Sequence, residues 1–146
     1  MTTGWKLTID CADPSALAAF WAAALGYVLA PPPKGFATWE AWLRAQDVPE
    51  DEWNSGAFIS DPEGALPALS FLRVPEMKSG KNRLHLDLQV GGGRHLPWEE
   101  RWPRVQAAAE RLTRLGGSVV AEVPGPDGRG DHLVLADVEG NEFCVL

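Results

Sequence analysis

The chain has 146 residues, with 13 Lys and Arg against 20 Asp and Glu, for a formal net charge of -7. That length buries a core without covalent staples, and the acidic balance, with no basic run, excludes a nucleic-acid binder and favours cationic over anionic small molecules. Its two cysteines, Cys11 and Cys144, form no CxxC pair, which excludes a disulfide framework or zinc knuckle and points to a reducing, cytoplasmic setting.

Residues 5–11 alternate Leu7, Ile9 and Cys11 against Lys6, Thr8 and Asp10, which predicts a strand. Asp13, Pro14 and Ser15 supply a helix cap followed by a proline at the first helical position. Leu17, Phe20, Trp21, Ala24 and Leu25 fall on one stripe at helical spacing, and Gly26 ends the helix. Trp21 and Trp5 are expected in the core. The uncharged run over 16–30 resembles the apolar part of a signal peptide, but Asp10 and Asp13 precede it, Gly26 interrupts it and three prolines follow. It is also too short to cross a bilayer, so a core helix and a short strand at 27–30 account for it, and no membrane partner is expected.

Residues 31–55 differ in character, placing Phe36, Trp39, Trp42 and Trp53 among Glu40, Glu50, Asp51 and Glu52. Thr38 is positioned to cap a short helix reaching Ala45, with Trp39, Trp42 and Leu43 on one face. Strands at 57–60 and 68–74 flank a turn at Asp61-Pro62-Glu63-Gly64. The stretch 83–90 alternates without a slip, giving an apolar face of Leu84, Leu86, Leu88 and Val90 and a polar face of His85, Asp87 and Gln89. A solvated polar face is the ordinary outcome in an antiparallel sheet. An imidazole and a carboxylate two residues apart can also face one ligand or metal together. A helix then ends near Leu115, with Val105, Ala109 and Leu112 on one face and Pro103 in its first turn. Strands follow at 118–123, 132–136 and 142–146, the last two joined by Asp137-Val138-Glu139-Gly140.

This order is an internal repeat. Leu25-Gly26 and Leu115-Gly116 lie 90 positions apart, and the two Asp-x-Glu-Gly turns 76 apart, so the first half carries about 14 extra residues, which fall on the Trp-rich segment. Module one covers 4–74 with an insertion at 31–55, and module two covers 83–146.

Two βαβββ modules, Asp13-Pro14 before a helix bearing Phe20-Trp21 and Leu25-Gly26-Tyr27, the run from Lys81 to Leu88, and the closing Asp137-Val138-Glu139-Gly140-Asn141-Glu142-Phe143-Cys144-Val145 resemble the vicinal oxygen chelate superfamily. That superfamily includes glyoxalase I, extradiol dioxygenases, fosfomycin-resistance enzymes and bleomycin-binding proteins, and the nearest likeness is to its glyoxalase-like branch of small bacterial proteins. The resemblance implies an α+β fold of curved mixed sheets forming half-barrels, one domain over 1–146, and a homodimer. It leaves function open, because the superfamily hosts both enzymes and non-catalytic binders.

Metal-dependent members carry His, Glu or Gln ligands on the first, fourth, fifth and eighth strands. The matching positions here are Lys6, Ser70 or Leu72, His85 and Cys144. Only His85 fits well, and the Lys6 ammonium has no lone pair and repels a cation. No metal or other cofactor is therefore expected; if one binds, His85, Cys144 and Asp87 are its ligands, although ~7 Å of strand rise between His85 and Asp87 requires the strand to curve. Cys144 as a nucleophile competes with its reading as a small buried hydrophobe, and His95 and His132 read as surface residues.

The leading expectation is a metal-free cavity for a small, flat organic molecule, with Lys6, Thr8, Ser70, His85, Asp87 and Cys144 on its strands and Trp39, Trp42 and Trp53 over its opening. His85 is its hydrogen-bonding or acid–base group, and Asp87 and Lys6 orient the ligand. A lid and a dimer contact both remain open for the insertion. The alternatives are a metal-dependent lyase, isomerase or dioxygenase, and a resistance protein that sequesters a drug without turnover.

Overall fold

In the computed structural model, which describes residues 1–146, the chain forms two units, residues 1–77 and 78–146. In the first, β1 (Leu7–Cys11), α1 (Pro14–Leu25), β2 (Val28–Leu29), α2 (Trp39–Ala45), a 3-10 segment (Glu50–Ser55), β3 (Gly56–Ser60) and β4 (Leu69–Arg73) follow in order. In the second come β5 (Asp87–Leu88), α3 (Trp98–Arg114), β6 (Ser118–Pro124), β7 (Gly130–Ala136) and β8 (Glu142–Val145). Each unit holds one open, mixed, four-stranded sheet, ordered β1-β4-β3-β2 and β5-β8-β7-β6. The first and last strands pair in parallel in each unit, and the other pairs are antiparallel. The fold is α+β. No helix is long and apolar enough to cross a membrane.

α1 starts and stops where its sequence dictates. Asp13 accepts a hydrogen bond from the Ala16 N–H at 3.1 Å, Pro14 stands in the first turn, and Gly26 closes the helix at φ 73°. Its apolar stripe packs on β3 and β4, burying Leu17, Phe20 and Trp21 with Ile59, Leu69 and Phe71. α3 does the same on β7 and β8, burying Val105, Ala109 and Leu112 with Leu135, Phe143 and Val145. Each fully buried aliphatic or aromatic side chain stabilises by roughly 1.5–3 kcal/mol relative to exposure. The two Asp-x-Glu-Gly turns share one construction: Gly64 and Gly140, at φ 68° and 84°, donate to the Asp61 and Asp137 carbonyls at 3.0 Å. The Asp61 and Asp137 carboxylates accept from N–H groups further along the same turns.

Three expectations are corrected. The strand over 83–90 contracts to Asp87–Leu88, and Leu84 is 79% exposed instead of joining the buried face. At the Glu142 end of the partner strand β8, the Asn82 amide bonds the backbone in place of a strand neighbour: it donates to the Glu142 carbonyl at 3.3 Å and accepts from the Glu142 N–H at 3.2 Å. Trp5 is 67% exposed because β1 starts two residues later, where Leu7 first bonds the Ala68 carbonyl. Pro103 lies inside α3, since the helix begins at Trp98. The extra turn is tied to β7: the Trp98 indole donates to the Gly130 carbonyl at 2.8 Å, and Arg101, itself buried, donates to the Asp131 carbonyl at 2.7 Å. Those bonds and the stacked Trp98–Trp102 pair offset an interior proline that costs about 3 kcal/mol.

Two substitutions test these supports. Gly130→Ala places a methyl group within 2.3–2.8 Å of the Trp102 ring, and should destabilise by about 1–3 kcal/mol in urea unfolding. Asp13→Ala should cost about 1 kcal/mol at neutral pH. The Asn54 amide and then the Ala16 N–H hold the Asp13 carboxyl below its ordinary value of 3.8. Its contribution is therefore fully present above 3.8 and is lost as pH falls through the lower folded-state value. The gap between Asp13→Ala and the parent protein should close on acidification; a gap that widens would contradict this assignment.

Candidate functional site

Two groupings of chemistry-bearing side chains stand out, one in each unit. In the second unit, parallel pairing sets Asp87 directly across from Cys144. Residues opposite one another in a ladder project on the same face, so the carboxylate and the thiol are neighbours. His85 precedes β5 by two residues, and its Nε2 lies 3.2 Å from Asp87 Oδ1. One donor atom from each of His85, Asp87 and Cys144 lies within 4.8 Å of the others. His85 and Asp87 are exposed and Cys144 is half-buried. Burial pushes the Cys144 thiol up from its ordinary value, and the Asp87 charge and hydrogen-bond acceptor push the same way, with Lys81 offsetting part of the effect. A raised thiol is a poor nucleophile at neutral pH. The same three groups are a donor set for a borderline-soft divalent ion, which would displace the thiol proton.

The first unit holds a cavity of about 660 Å³. Its walls come from the insertion and the sheet: Trp39 and Trp42 from α2, Trp53 from the 3-10 segment, Phe58 from β3 and Leu72 from β4. Thr38 caps α2 by accepting from the Ala41 N–H at 3.1 Å. From that start, Trp39 and Trp42 fall on one helical face and meet edge to face at 5.6 Å. Trp39 also stacks on Phe58, with ring centroids 5.5 Å apart, and its indole N–H donates to the Ala30 carbonyl at 2.8 Å. Trp53 donates to the Val48 carbonyl at 3.0 Å. Asn54 accepts from the Ser15 N–H and hydroxyl, at 3.0 and 2.6 Å, and donates to Asp13 at 2.8 Å, while Arg73 of β4 holds Glu52 at 2.9 Å. The insertion is thus fastened to both α1 and the sheet. Phe58 and Leu72 remain 44% and 48% exposed, as walls of an open apolar pocket are.

The residues singled out from the sequence divide between the units. Trp39, Trp42 and Trp53 line the cavity. Lys6 is exposed just before β1, and Thr8 lies on β1 opposite Ser70 of β4; none of these three lines it. His85, Asp87 and Cys144 come together in the second unit. His95 is exposed, as expected; His132, expected at the surface, is half-buried, with its Nδ1 3.0 Å from Asp131. Reading the sequence did not pick out Phe58, Leu72 or Glu40 as cavity residues. One signal was present: Phe58 alternates with the buried Ile59, which puts a large ring on the uncovered face of β3.

Comparison with known proteins supplies the family. A search of curated proteins found no match. Among solved structures, a glyoxalase/bleomycin resistance protein/dioxygenase family enzyme from Burkholderia phytofirmans PsJN is 14% identical with a TM-score of 0.59, covering 96% of this chain and 94% of its own. A possible glyoxalase from Bacillus cereus is 18% identical with a TM-score of 0.58, over 99% of both chains. The fosfomycin resistance protein FosX from Listeria monocytogenes, solved with Mn(II) and 1S,2S-dihydroxypropylphosphonic acid, is 16% identical with a TM-score of 0.59, over 99% of this chain and 90% of its own. At such identities the likeness is one of fold. The family model described as a glyoxalase-like domain matches residues 6–146, and the chain belongs to that glyoxalase-like family of the vicinal oxygen chelate superfamily.

Proposed function

We propose that this protein binds a small, flat organic molecule in the tryptophan-walled cavity of its first unit. The observation that carries the reading is the cavity itself: about 660 Å³, walled by Trp39, Trp42, Trp53, Phe58 and Leu72, with few polar groups. Its size falls within the ~300–1,000 Å³ typical of small-molecule sites, whose walls are mostly apolar with a few orienting polar groups. Rigid aromatic walls favour a planar ligand, because stacked or edge-to-face rings each add roughly 0.5–1.5 kcal/mol beyond buried area. No resident metal enters this reading. Trp42 offers the cleanest test, since Trp39 and Trp53 also hold the backbone through their indole N–H groups. Titration with bicyclic aromatic compounds should change tryptophan fluorescence, and Trp42→Ala should weaken binding about tenfold, which is ~1.4 kcal/mol. Binding should survive exhaustive chelation within about twofold.

A second reading, a metal-dependent lyase, isomerase or dioxygenase, is favoured by one specific observation: the convergence of His85, Asp87 and Cys144. An imidazole, a carboxylate and a thiolate suit zinc. The 4.8 Å spread of their donor atoms would have to contract toward the ~3.5 Å between ligands of a tetrahedral ion. Bound there, the ion would act as a Lewis acid on substrate oxygen atoms, with His85, Asp87 and Cys144 holding it. In its absence the His85 imidazole, beside the Asp87 carboxylate, is the group able to exchange a proton with a ligand. Elemental analysis of protein purified without an affinity tag, followed by zinc and cobalt titration, decides between the readings. Stoichiometric metal lost in both His85→Ala and Cys144→Ser, with ligand binding abolished by chelation, would install the second reading and remove the first.

A further inference from the structure

We infer that the ligand of the tryptophan-walled cavity is a planar organic cation. The inference rests on the reading of that cavity as a ligand site and adds the charge its contents should carry. Glu40 is the only ionisable side chain that lines it, and no Lys or Arg does. The Glu40 carboxyl is held below its ordinary value by its own backbone N–H and then by Thr38, so it is charged at neutral pH. Four rings line the same cavity, those of Trp39, Trp42, Trp53 and Phe58. Aromatic faces carry negative electrostatic potential, so they attract a cation placed over them and repel an anion. The carboxylate adds an attraction of the same sign. The protein already uses one of these rings in that way, for the Arg44 guanidinium lies 4.8 Å from the centroid of Trp53. Arg44 opposes a second cation only weakly, because Glu50 lies 3.7 Å from it and offsets its charge. The insertion also carries Asp51 and Glu52 immediately before Trp53 in sequence, and Arg73 is engaged with Glu52. A neutral ring system of the same shape would fill the cavity without using Glu40. An anionic one would meet repulsion from both the rings and the carboxylate.

The test compares three compounds of similar bicyclic size and different charge: the N-methylquinolinium cation, neutral methylnaphthalene and anionic naphthoate, each measured by equilibrium dialysis against the full chain. Cation–π attraction should make the quinolinium bind about tenfold more tightly than methylnaphthalene, with naphthoate weakest. Glu40→Gln keeps the side-chain length and its reach to Thr38, and Glu40 is exposed, so this variant should fold. It should weaken quinolinium binding several-fold while methylnaphthalene stays within about twofold, which separates lost charge recognition from lost structure. Equal binding of all three compounds, with all three weakened by Trp42→Ala, overturns the cation inference and leaves the cavity a ligand site. A Glu40→Gln change that weakens cation and neutral compound alike overturns it too. Failure of all three to bind up to their solubility limits removes the cavity reading itself, and the inference with it.

Discussion

The parallel pairing of the first and last strand within each unit is the constraint on which the rest depends. β1 lies on β4 across an interval that contains α1, β2, the insertion and β3, and β5 lies on β8 across one that contains α3, β6 and β7. Closing such an interval costs chain entropy that local contacts cannot return. What returns it is the apolar face the pairing completes. Phe71 and Phe143 sit on the last strands, each held between a neighbouring strand and the helix, and both are about 1% exposed. The same register places Asp87 against Cys144. Structural and chemical consequences thus come from one hydrogen-bonded ladder.

Both units use this frame but differ in what they add to it. The first carries the insertion, and its additions are aromatic: three tryptophans on a segment fastened to α1, to Ala30 just after β2, and to β4 by Asn54, Trp39 and Arg73. The second has a short β5, a side-chain clasp from Asn82, and polar groups gathered at the β5–β8 pair. Apolar walls suit binding through dispersion and π electrostatics. A cluster of imidazole, carboxylate and thiol suits proton exchange or metal ligation. The glyoxalase-like frame is compatible with both because neither set of groups supports its core.

Much of the fold was legible in the sequence because its signals are local. Asp13 and Pro14 start α1, Gly26 ends it, Thr38 caps α2, and the two Asp-x-Glu-Gly turns recur with one hydrogen-bond pattern; each is settled within a few residues. The α3 stripe of Val105, Ala109 and Leu112 is also local. Where the reading failed, a distant partner decided the outcome. Perfect alternation over 83–90 states which residues share a face, but the length of the strand depends on how much of it pairs with β8, and only Asp87 and Leu88 do. Pro103 argued for a later helix start, and contacts from Trp98 and Arg101 to β7 overrode it.

The candidate sites divide along the same line. Composition and residue order alone determined that the chain is acidic and holds a Trp-rich insertion, and its spacing determined the repeated order of elements, because charge and periodicity are properties of the chain itself. Only tertiary structure decided that Phe58 and Leu72 join the tryptophans to wall a cavity with Glu40 as its one charge. The family resemblance grouped Cys144 with Asp87 and His85, more than fifty residues earlier in the chain, and tertiary structure decided that their donor atoms lie within 4.8 Å of one another. Strand register across a parallel ladder fixes such neighbours, and register is set by the burial of whole faces, which no single stretch of sequence contains.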